Sequence, residues 1–246
     1  MKLLTGVHLV GSGALGHSLT DPHDSHVYLI EDGGAAVLVD AGCGLASDEI
    51  LGRILAAGVE PTSVSKVLLT HAHADHAAGA RRLAEALGAE IFASEPVAAI
   101  LIAGDESACG LSLARTAGTY PDDVVLEPTA CGVLKDGDEI KVGQLVITAR
   151  ATPGHADGHL CFIAEIAGVL AAFTGDLVFA RGRVALLSTD DSRPAVLAQS
   201  IRRLAEFYPD VLFPGHGSFV LSHAGDHLRI AVEAFDTGRV PPQLVP

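Results

Sequence analysis

No segment restricts the fold of this chain of 246 residues more than positions 70–76, which read Thr-His-Ala-His-Ala-Asp-His. Four potential metal ligands occupy six positions there, namely His71, His73, Asp75 and His76. The segment follows an apolar stretch typical of a buried strand and precedes a helical repeat of alanine and leucine. Regular helices and strands point neighbouring side chains in different directions, whereas a loop between a strand and a helix lets them converge. The segment is therefore predicted to be a strand-to-helix loop that binds a metal.

Three further candidate ligands each follow an apolar stretch and lie beside a glycine. They are His155 in Thr-Pro-Gly-His, Asp176 in Thr-Gly-Asp and His216 in Pro-Gly-His-Gly. Glycine lets the backbone turn sharply, and the end of a strand holds a side chain rigidly. Catalytic zinc commonly takes three protein ligands and a water, so the 70–76 segment needs these additional groups to enclose two ions. Imidazole and carboxylate without a nearby thiolate suit zinc, iron or manganese.

The order of the predicted elements indicates an α/β protein. Apolar stretches at 26–30 and 35–39 predict a hairpin, and helical repeats near 47–57 and 80–87 then alternate with strands at 67–69 and 90–93. Ser47 and Ser192 are expected to cap helices. Residues 95–129 lack a clear pattern and are candidates for covering a site, and strand and helix signals return after them. We therefore expect one domain over residues 1–246, with two similar halves of about 1–130 and 131–246, packed as a four-layer αββα sandwich.

Composition disfavours several classes of partner. Sixteen lysines and arginines stand against 30 aspartates and glutamates, and the net charge of −14 repels nucleic acid and anionic membranes. No apolar run approaches the roughly 18 residues of a membrane span, and no signal peptide is recognised at the N-terminus. The four cysteines are scattered, which favours free thiols and a cytoplasmic protein. A small-molecule substrate is expected, and the 49% hydrophobic composition leaves a homodimer open.

The order of these motifs resembles the metallo-β-lactamase fold superfamily, in particular its glyoxalase II-like and lactonase-like branch of binuclear metallohydrolases. The similarity extends over essentially the whole chain and includes Val-Asp-Ala-Gly at 39–42, which is similar to an early family strand ending in Asp-x-Gly. The resemblance implies two metal sites that share one carboxylate. One metal would be bound by His71, His73 and His155, the other by Asp75, His76 and His216, with Asp176 as the bridge. True β-lactamases lack that bridging aspartate, so antibiotic hydrolysis is disfavoured.

The implied cofactors are two divalent metal ions, with Zn²⁺ favoured and iron or manganese as alternatives. Two close cations lower the pKa of a shared water, and the resulting hydroxide would attack the carbonyl of a small ester, thioester or lactone. Asp75 would act as the catalytic residue that orients this nucleophile. Two alternatives stay open: a mononuclear iron oxygenase of the persulfide dioxygenase type and, less favoured because of the charge, a nuclease or phosphodiesterase.

Glyoxalase II itself is not the favoured member of the branch. The chain lacks the Gly-Cys-Gly-Arg pattern that we associate with glyoxalase II and persulfide dioxygenases, which counts against both identities. Only 30 residues follow His216, so the C-terminal helical extension of glyoxalase II is expected to be absent.

Five further residues are weaker candidates. Asp40 is expected either to hydrogen-bond a ligand imidazole or to form only a turn. His159 either lines the pocket or has a structural role, and the structural role is favoured. Phe179, Arg181 and Arg183 follow Asp176, and the two arginines would hold a carboxylate or phosphate over the metals. The alternative for these three residues is a solvated loop.

Overall fold

Residues 1–244 are described by a computed structural model, and their strands form two β-sheets. The first sheet has seven strands in sequential order: β1 (Lys2–Leu4), β2 (Val7–Gly11), β3 (Val27–Asp32), β4 (Ala35–Val39), β5 (Val64–Leu68), β6 (Glu90–Ser94) and β7 (Gly132–Leu134). The second sheet has five strands in the reverse order, from β12 to β8: β8 (Glu139–Val142), β9 (Leu145–Ala151), β10 (Leu160–Ile166), β11 (Val169–Gly175) and β12 (Val211–Pro214).

Helices connect these strands and cover the sheets. They are α1 (Ser47–Ala56), α2 (Ala74–Ala77), α3 (Ala80–Leu87), α4 (Glu95–Ala103), α5 (Leu111–Thr116), α6 (Pro194–Ala205) and α7 (Ala224–Asp236). Short 3₁₀ turns lie at Pro61–Ser63 and Ala180–Gly182. In residues 1–244 no helix combines the length and the apolar character that crossing a membrane requires.

Three apolar clusters divide the molecule into layers. One lies between the first sheet and α1, α3 and α4, one lies between the two sheets, and one lies between the second sheet and α6 and α7. Strand β3 contributes to two of them because its side chains alternate: Val27 and Leu29 face the helices, and Tyr28 and Ile30 face the other sheet. The predicted four-layer αββα sandwich is confirmed.

Strand directions bring several loops to one edge of the sandwich. Strands β4, β5 and β6 are parallel neighbours, and the 70–76 segment follows β5 directly. Strands β11 and β12 are also parallel, while β9 runs in the same direction as β11 because both are antiparallel to β10. The carboxyl ends of β9, β11 and β12 therefore share an edge, and His155, Asp176 and His216 follow them.

Most predicted elements agree with the structure, and the exceptions are local. The predicted hairpin is formed by β3 and β4, and α3 ends before Gly88 as expected, with a positive φ of 67° at that glycine. Both cap predictions were wrong. Ser47 is the first residue of α1, and the hydroxyl of Ser192 accepts a hydrogen bond from Leu187 N (2.9 Å) while α6 begins at Pro194. Residues 95–129, which showed no clear pattern, contain α4 and α5.

Candidate metal centre

The seven predicted ligands converge at this edge of the sandwich. Their donor atoms form three overlapping groups, each within 4.8 Å: His71, His73 and His155; His71, His76 and Asp176; and Asp75, His76 and His216. The structure thus brings together every side chain that the sequence singled out as a ligand, and their function as metal ligands stays a prediction.

In the first group, three imidazole nitrogens face one another. His73 Nδ1 lies 3.0 Å from His71 Nε2 and 3.0 Å from His155 Nε2. The other nitrogen of His155 donates to the carbonyl oxygen of Ala185 (2.8 Å), which leaves the Nε2 lone pair directed at the group. This outward hydrogen bond is what orients a histidine for metal binding.

Asp40 hydrogen-bonds His76, the histidine shared by the second and third groups. His76 Nδ1 donates to Asp40 Oδ2 (2.8 Å), so His76 Nε2 points at the carboxylates of Asp75 (3.5 Å) and Asp176 (3.4 Å). Asp40 also accepts from Thr70 Oγ1 (2.9 Å), and that hydroxyl lies 2.9 Å from His71 Nδ1. One buried carboxylate therefore orients His76 and, through Thr70, His71, and these two imidazoles between them belong to all three groups. Of the two roles considered for Asp40, the structure contains the hydrogen bond to an imidazole.

Asp176, a member of the second group, lies between the first and third groups. Its Oδ2 is 3.6 Å from His155 Nε2 on one side and 3.5 Å from His216 Nε2 on the other. His216 Nε2 is in turn 3.0 Å from Asp75 Oδ2. Among the described residues, His76 Nε2 and Asp176 Oδ1 are buried and have no hydrogen-bond partner. Buried polar atoms without a partner are costly, and cations coordinated by this donor set would satisfy both.

The lowered pKa values of histidines in the first group favour binding of a cation. Burial, together with the neighbouring imidazoles, lowers the pKa of His71 well below its ordinary value and that of His73 to about 4. Both rings are therefore neutral at pH 7 and present lone pairs. Burial opposes ionisation of Asp75 and Asp176, but neighbouring histidines outweigh it and hold the pKa of both carboxyls below the usual range.

The two histidines of the third group, His76 and His216, carry protons that complement the carboxylates. Burial alone lowers the pKa of His76 and of His216, but Asp75 and Asp176 outweigh it and raise both pKa values above the ordinary one. Without a metal, protons on these two rings balance the buried carboxylates. His76 and His216 would have to release these protons to hold a cation, because only a deprotonated ring nitrogen coordinates a metal.

Comparison with known proteins identifies the family. The family model described as "Metallo-beta-lactamase superfamily" matches residues 20–216, which include all seven predicted ligands. The chain belongs to the metallo-beta-lactamase superfamily. The predicted resemblance is thereby confirmed.

Relatives within this superfamily include named hydrolases. A hydroxyacylglutathione hydrolase from Cereibacter sphaeroides is 30% identical over 78% of this chain and 62% of its own length. An atrochrysone carboxyl ACP thioesterase from Aspergillus fumigatus is 28% identical over 80% of this chain and 51% of its own length. The chain thus spans about half to two thirds of these relatives. A solved metallo-beta-lactamase from Cronobacter sakazakii has a TM-score of 0.72 at 20% identity, over 95% of this chain and 91% of that one, and shows the fold alone.

Two of the weaker candidates, His159 and Phe179, lie next to predicted ligands in the protein interior. Asp176 N donates to His159 Nε2 (3.2 Å), so the Nδ1–H of that ring donates to Thr152 Oγ1 (2.9 Å). Both nitrogens of His159 are thus used to fix the backbone at Asp176, which agrees with a structural role. Phe179 is buried, and its ring centroid is 6.3 Å from that of His216.

The two arginines lie elsewhere. Arg181 and Arg183 are exposed and line a second cavity of about 520 Å³ together with Phe219 and His227. None of the seven predicted ligands lines this cavity. The backbone N–H of Arg181 donates to His227 Nδ1 (2.7 Å), which ties the loop to α7. Their predicted contact with an anionic substrate stays a prediction.

Tyr120 is a site residue that the sequence did not reveal. It lies in the segment after α5, and its ring centroid is 5.8 Å from that of His23, whose Nδ1 hydrogen-bonds Asp21 (2.8 Å). Burial and the neighbouring Asp75 carboxylate raise the pKa of Tyr120, so its hydroxyl stays protonated and can donate. No motif or spacing connects a lone tyrosine at position 120 with the 70–76 segment, because only the path of α4 and α5 brings it there.

Proposed function

We propose that this member of the superfamily is a binuclear metal-dependent hydrolase of a small ester, thioester or lactone. The position of Asp176 carries the proposal, since its carboxylate faces ring nitrogens of His155 in the first group and of His76 and His216 in the third at 3.4–3.6 Å. A carboxylate with that placement is suited to bridging two cations. Zn²⁺ is the favoured ion, because imidazole and carboxylate suit it and the candidate ligands include no thiolate.

Divalent cations in such a site polarise a carbonyl and lower the pKa of a bound water. The surrounding side chains would orient the reacting groups. Asp75 faces His76 and His216 and is suited to orient the attacking water. Asp40 keeps the imidazoles of His76 and, through Thr70, of His71 in the required tautomers. Tyr120 provides a protonated hydroxyl near Asp75 that is suited to donate to the oxygen on which charge develops.

Thioesters are the first substrates to try. The two relatives described above are named as a hydrolase of hydroxyacylglutathione and as an ACP thioesterase. Both names describe hydrolysis of an acyl group from a carrier. The acyl group and the carrier used by this chain are part of the proposal.

Metal content and hydrolysis test the proposal together. We expect about two metal ions per chain by elemental mass spectrometry of protein purified without a chelator or a histidine tag. The metal-loaded protein should hydrolyse members of a panel of thioesters, esters and lactones. Asp75→Ala should reduce kcat by about a hundredfold or more, since it removes a ligand and the group that orients the water. Exposed Asp123→Ala is the matched control and should leave kcat unchanged.

Two results would contradict the proposal. Metal-loaded protein that hydrolyses no compound of the panel would exclude the activity. About one iron per chain, with oxygen uptake in the presence of a persulfide, would instead support the mononuclear oxygenase considered above.

A further inference from the structure

A cavity of about 630 Å³ opens beside His73 and has two walls of different chemistry. One wall is formed by α4, the following loop and α5. The other is formed by Ala156, Asp157 and residues 188–191. Because His73 is a predicted ligand of the first group, a substrate held at the metal centre would extend into this cavity.

The wall from α4 and α5 is apolar. Pro96, Ile100 and Leu113 line it, and the apolar side chain of Leu113 is 64% exposed to solvent. The backbone that carries it is firmly fixed. Arg115 pairs with Glu106 (2.9 Å) and donates to the carbonyl oxygen of Val124 (2.6 Å). An exposed leucine on a fixed wall beside the site gives an aliphatic chain a surface on which to be buried.

The opposite wall is acidic. Asp157, Asp190 and Asp191 line it, and no lysine or arginine is among the lining residues. Asp157 pairs with Arg193, whereas neither Asp190 nor Asp191 has an ion-pair partner among the described residues. This wall therefore presents negative charge, and the cavity lining offers no lysine or arginine to a carboxylate.

We infer that this cavity holds an uncharged aliphatic chain of the substrate and rejects an anionic one. The inference rests on the proposed function and specifies its substrate class. Unit charges about 5 Å apart near a protein surface repel strongly enough to weaken binding by about tenfold or more. Salt reduces this repulsion at exposed sites.

Binding of non-hydrolysable thioethers tests the cavity without turnover. Three probes are titrated into the zinc-loaded protein by calorimetry: a pentyl thioether of N-acetylcysteamine, the same compound with a terminal carboxylate on the pentyl chain, and the pentyl thioether of glutathione. We expect the neutral probe to bind about tenfold more tightly than the probe whose pentyl chain ends in a carboxylate, because the cavity holds that chain. Rejection of the glutathione probe alone would contradict the inference, because it would place the carrier and not the aliphatic chain beside the acidic wall.

Two sets of variants assign the effect to the two walls. Asp190→Asn combined with Asp191→Asn should remove most of the discrimination against the anionic probe, whereas Asp48→Asn combined with Glu49→Gln on α1 makes the same charge change outside the cavity and should not. Leu113→Ala should weaken the neutral probe by about three- to tenfold. Leu55→Ala, at a leucine 56% exposed on α1, is its control.

The inference is overturned if the probe with the carboxylated pentyl chain binds as tightly as the neutral one, or if the cavity variants and their controls behave alike. These outcomes differ from failure of the proposed function. Selective binding of the neutral probe without hydrolysis of any thioester would contradict the hydrolase and leave the cavity assignment standing.

Discussion

At the scale of single residues, Asp40 orients predicted ligands although it is not a predicted ligand itself. It has a positive φ of 62°, which a non-glycine residue rarely adopts, and it is almost fully buried. Its carboxylate accepts from Thr70 N (2.8 Å), from Thr70 Oγ1 and from His76 Nδ1. The strained backbone is thus compensated by hydrogen bonds that orient two predicted ligands.

Asp40→Asn should weaken metal binding about ten- to a hundredfold. An amide nitrogen facing His76 Nδ1 favours the tautomer in which Nε2 carries the proton, and that nitrogen then no longer coordinates. Chelator competition measures the affinity, and the melting curve of each metal-free variant shows whether the fold is retained. Exposed Asp48→Asn is the control. Unchanged metal affinity in a folded Asp40→Asn protein would contradict this role.

His26 supports the site from a second position. Its backbone N–H donates to Gly215 O (2.7 Å), and its ring lies 2.9 Å from Pro214 O, to which Tyr28 also donates (2.7 Å). These contacts fix the turn that carries His216. Burial, together with His216, lowers the pKa of His26 to about 3.

This low pKa makes stability depend on pH. The unfolded chain takes up a proton at His26 near pH 6.5 and the folded chain only near pH 3, so this contribution is complete above pH 6.5 and is lost as the pH falls towards 3. His26→Asn keeps a side-chain donor and removes the titration. Urea denaturation of metal-free protein between pH 7 and pH 5 should show the wild type losing up to about 1.4 kcal/mol per pH unit relative to the variant. Parallel pH profiles would refute the assignment.

At the scale of elements, two glycines differ in how much room the structure leaves for a Cβ atom. A Cβ on Gly215 would lie 2.4 Å from Asp176 Oδ1 and 2.6 Å from His76 Cε1. A Cβ on Gly52, inside α1, would meet no atom within 4 Å. The first glycine is required by the close approach of β12 to the site, and the second is not required by packing.

Gly215→Ala and Gly52→Ala should therefore have opposite effects. We expect Gly52→Ala to stabilise the protein by about 0.5–1 kcal/mol, because alanine favours a helix interior. Gly215→Ala should destabilise it by about 1–3 kcal/mol and reduce the metal content, because the added methyl displaces predicted ligands. Thermal melts and elemental analysis measure both. A Gly215→Ala protein with unchanged metal content would show that the site can accommodate the methyl group.

The sequence predicted the elements well where the signal was local. Glycine beside a ligand type at the end of an apolar stretch marked His155, Asp176 and His216, and all three follow strands. Tyr120 could not be found in this way, because it follows α4 and α5, which have no clear periodicity in the sequence. The caps failed for a similar reason: Ser47 and Ser192 have the right residue type, but tertiary contacts set the helix starts.

At the scale of the whole molecule, the centre joins the two sheets. Asp40 and the 70–76 segment follow strands of the first sheet, and His155, Asp176 and His216 follow strands of the second. The apolar cluster between the sheets lies beneath them. A cation coordinated from both sides would therefore link two layers that otherwise meet mainly through apolar packing, so its effect on stability should extend beyond the site.

Removal of metal should consequently destabilise the entire fold. If the free metal is a thousandfold above its Kd, binding contributes about 4 kcal/mol, which corresponds to roughly 10 °C in Tm for a chain of this size. We expect dialysis against a chelator to lower Tm by about that amount in a single transition, and zinc to restore it. His155→Ala lacks one ligand of the first group and should show a smaller difference between the two conditions. A Tm that is independent of metal in the wild type would mean that the centre does not link the sheets.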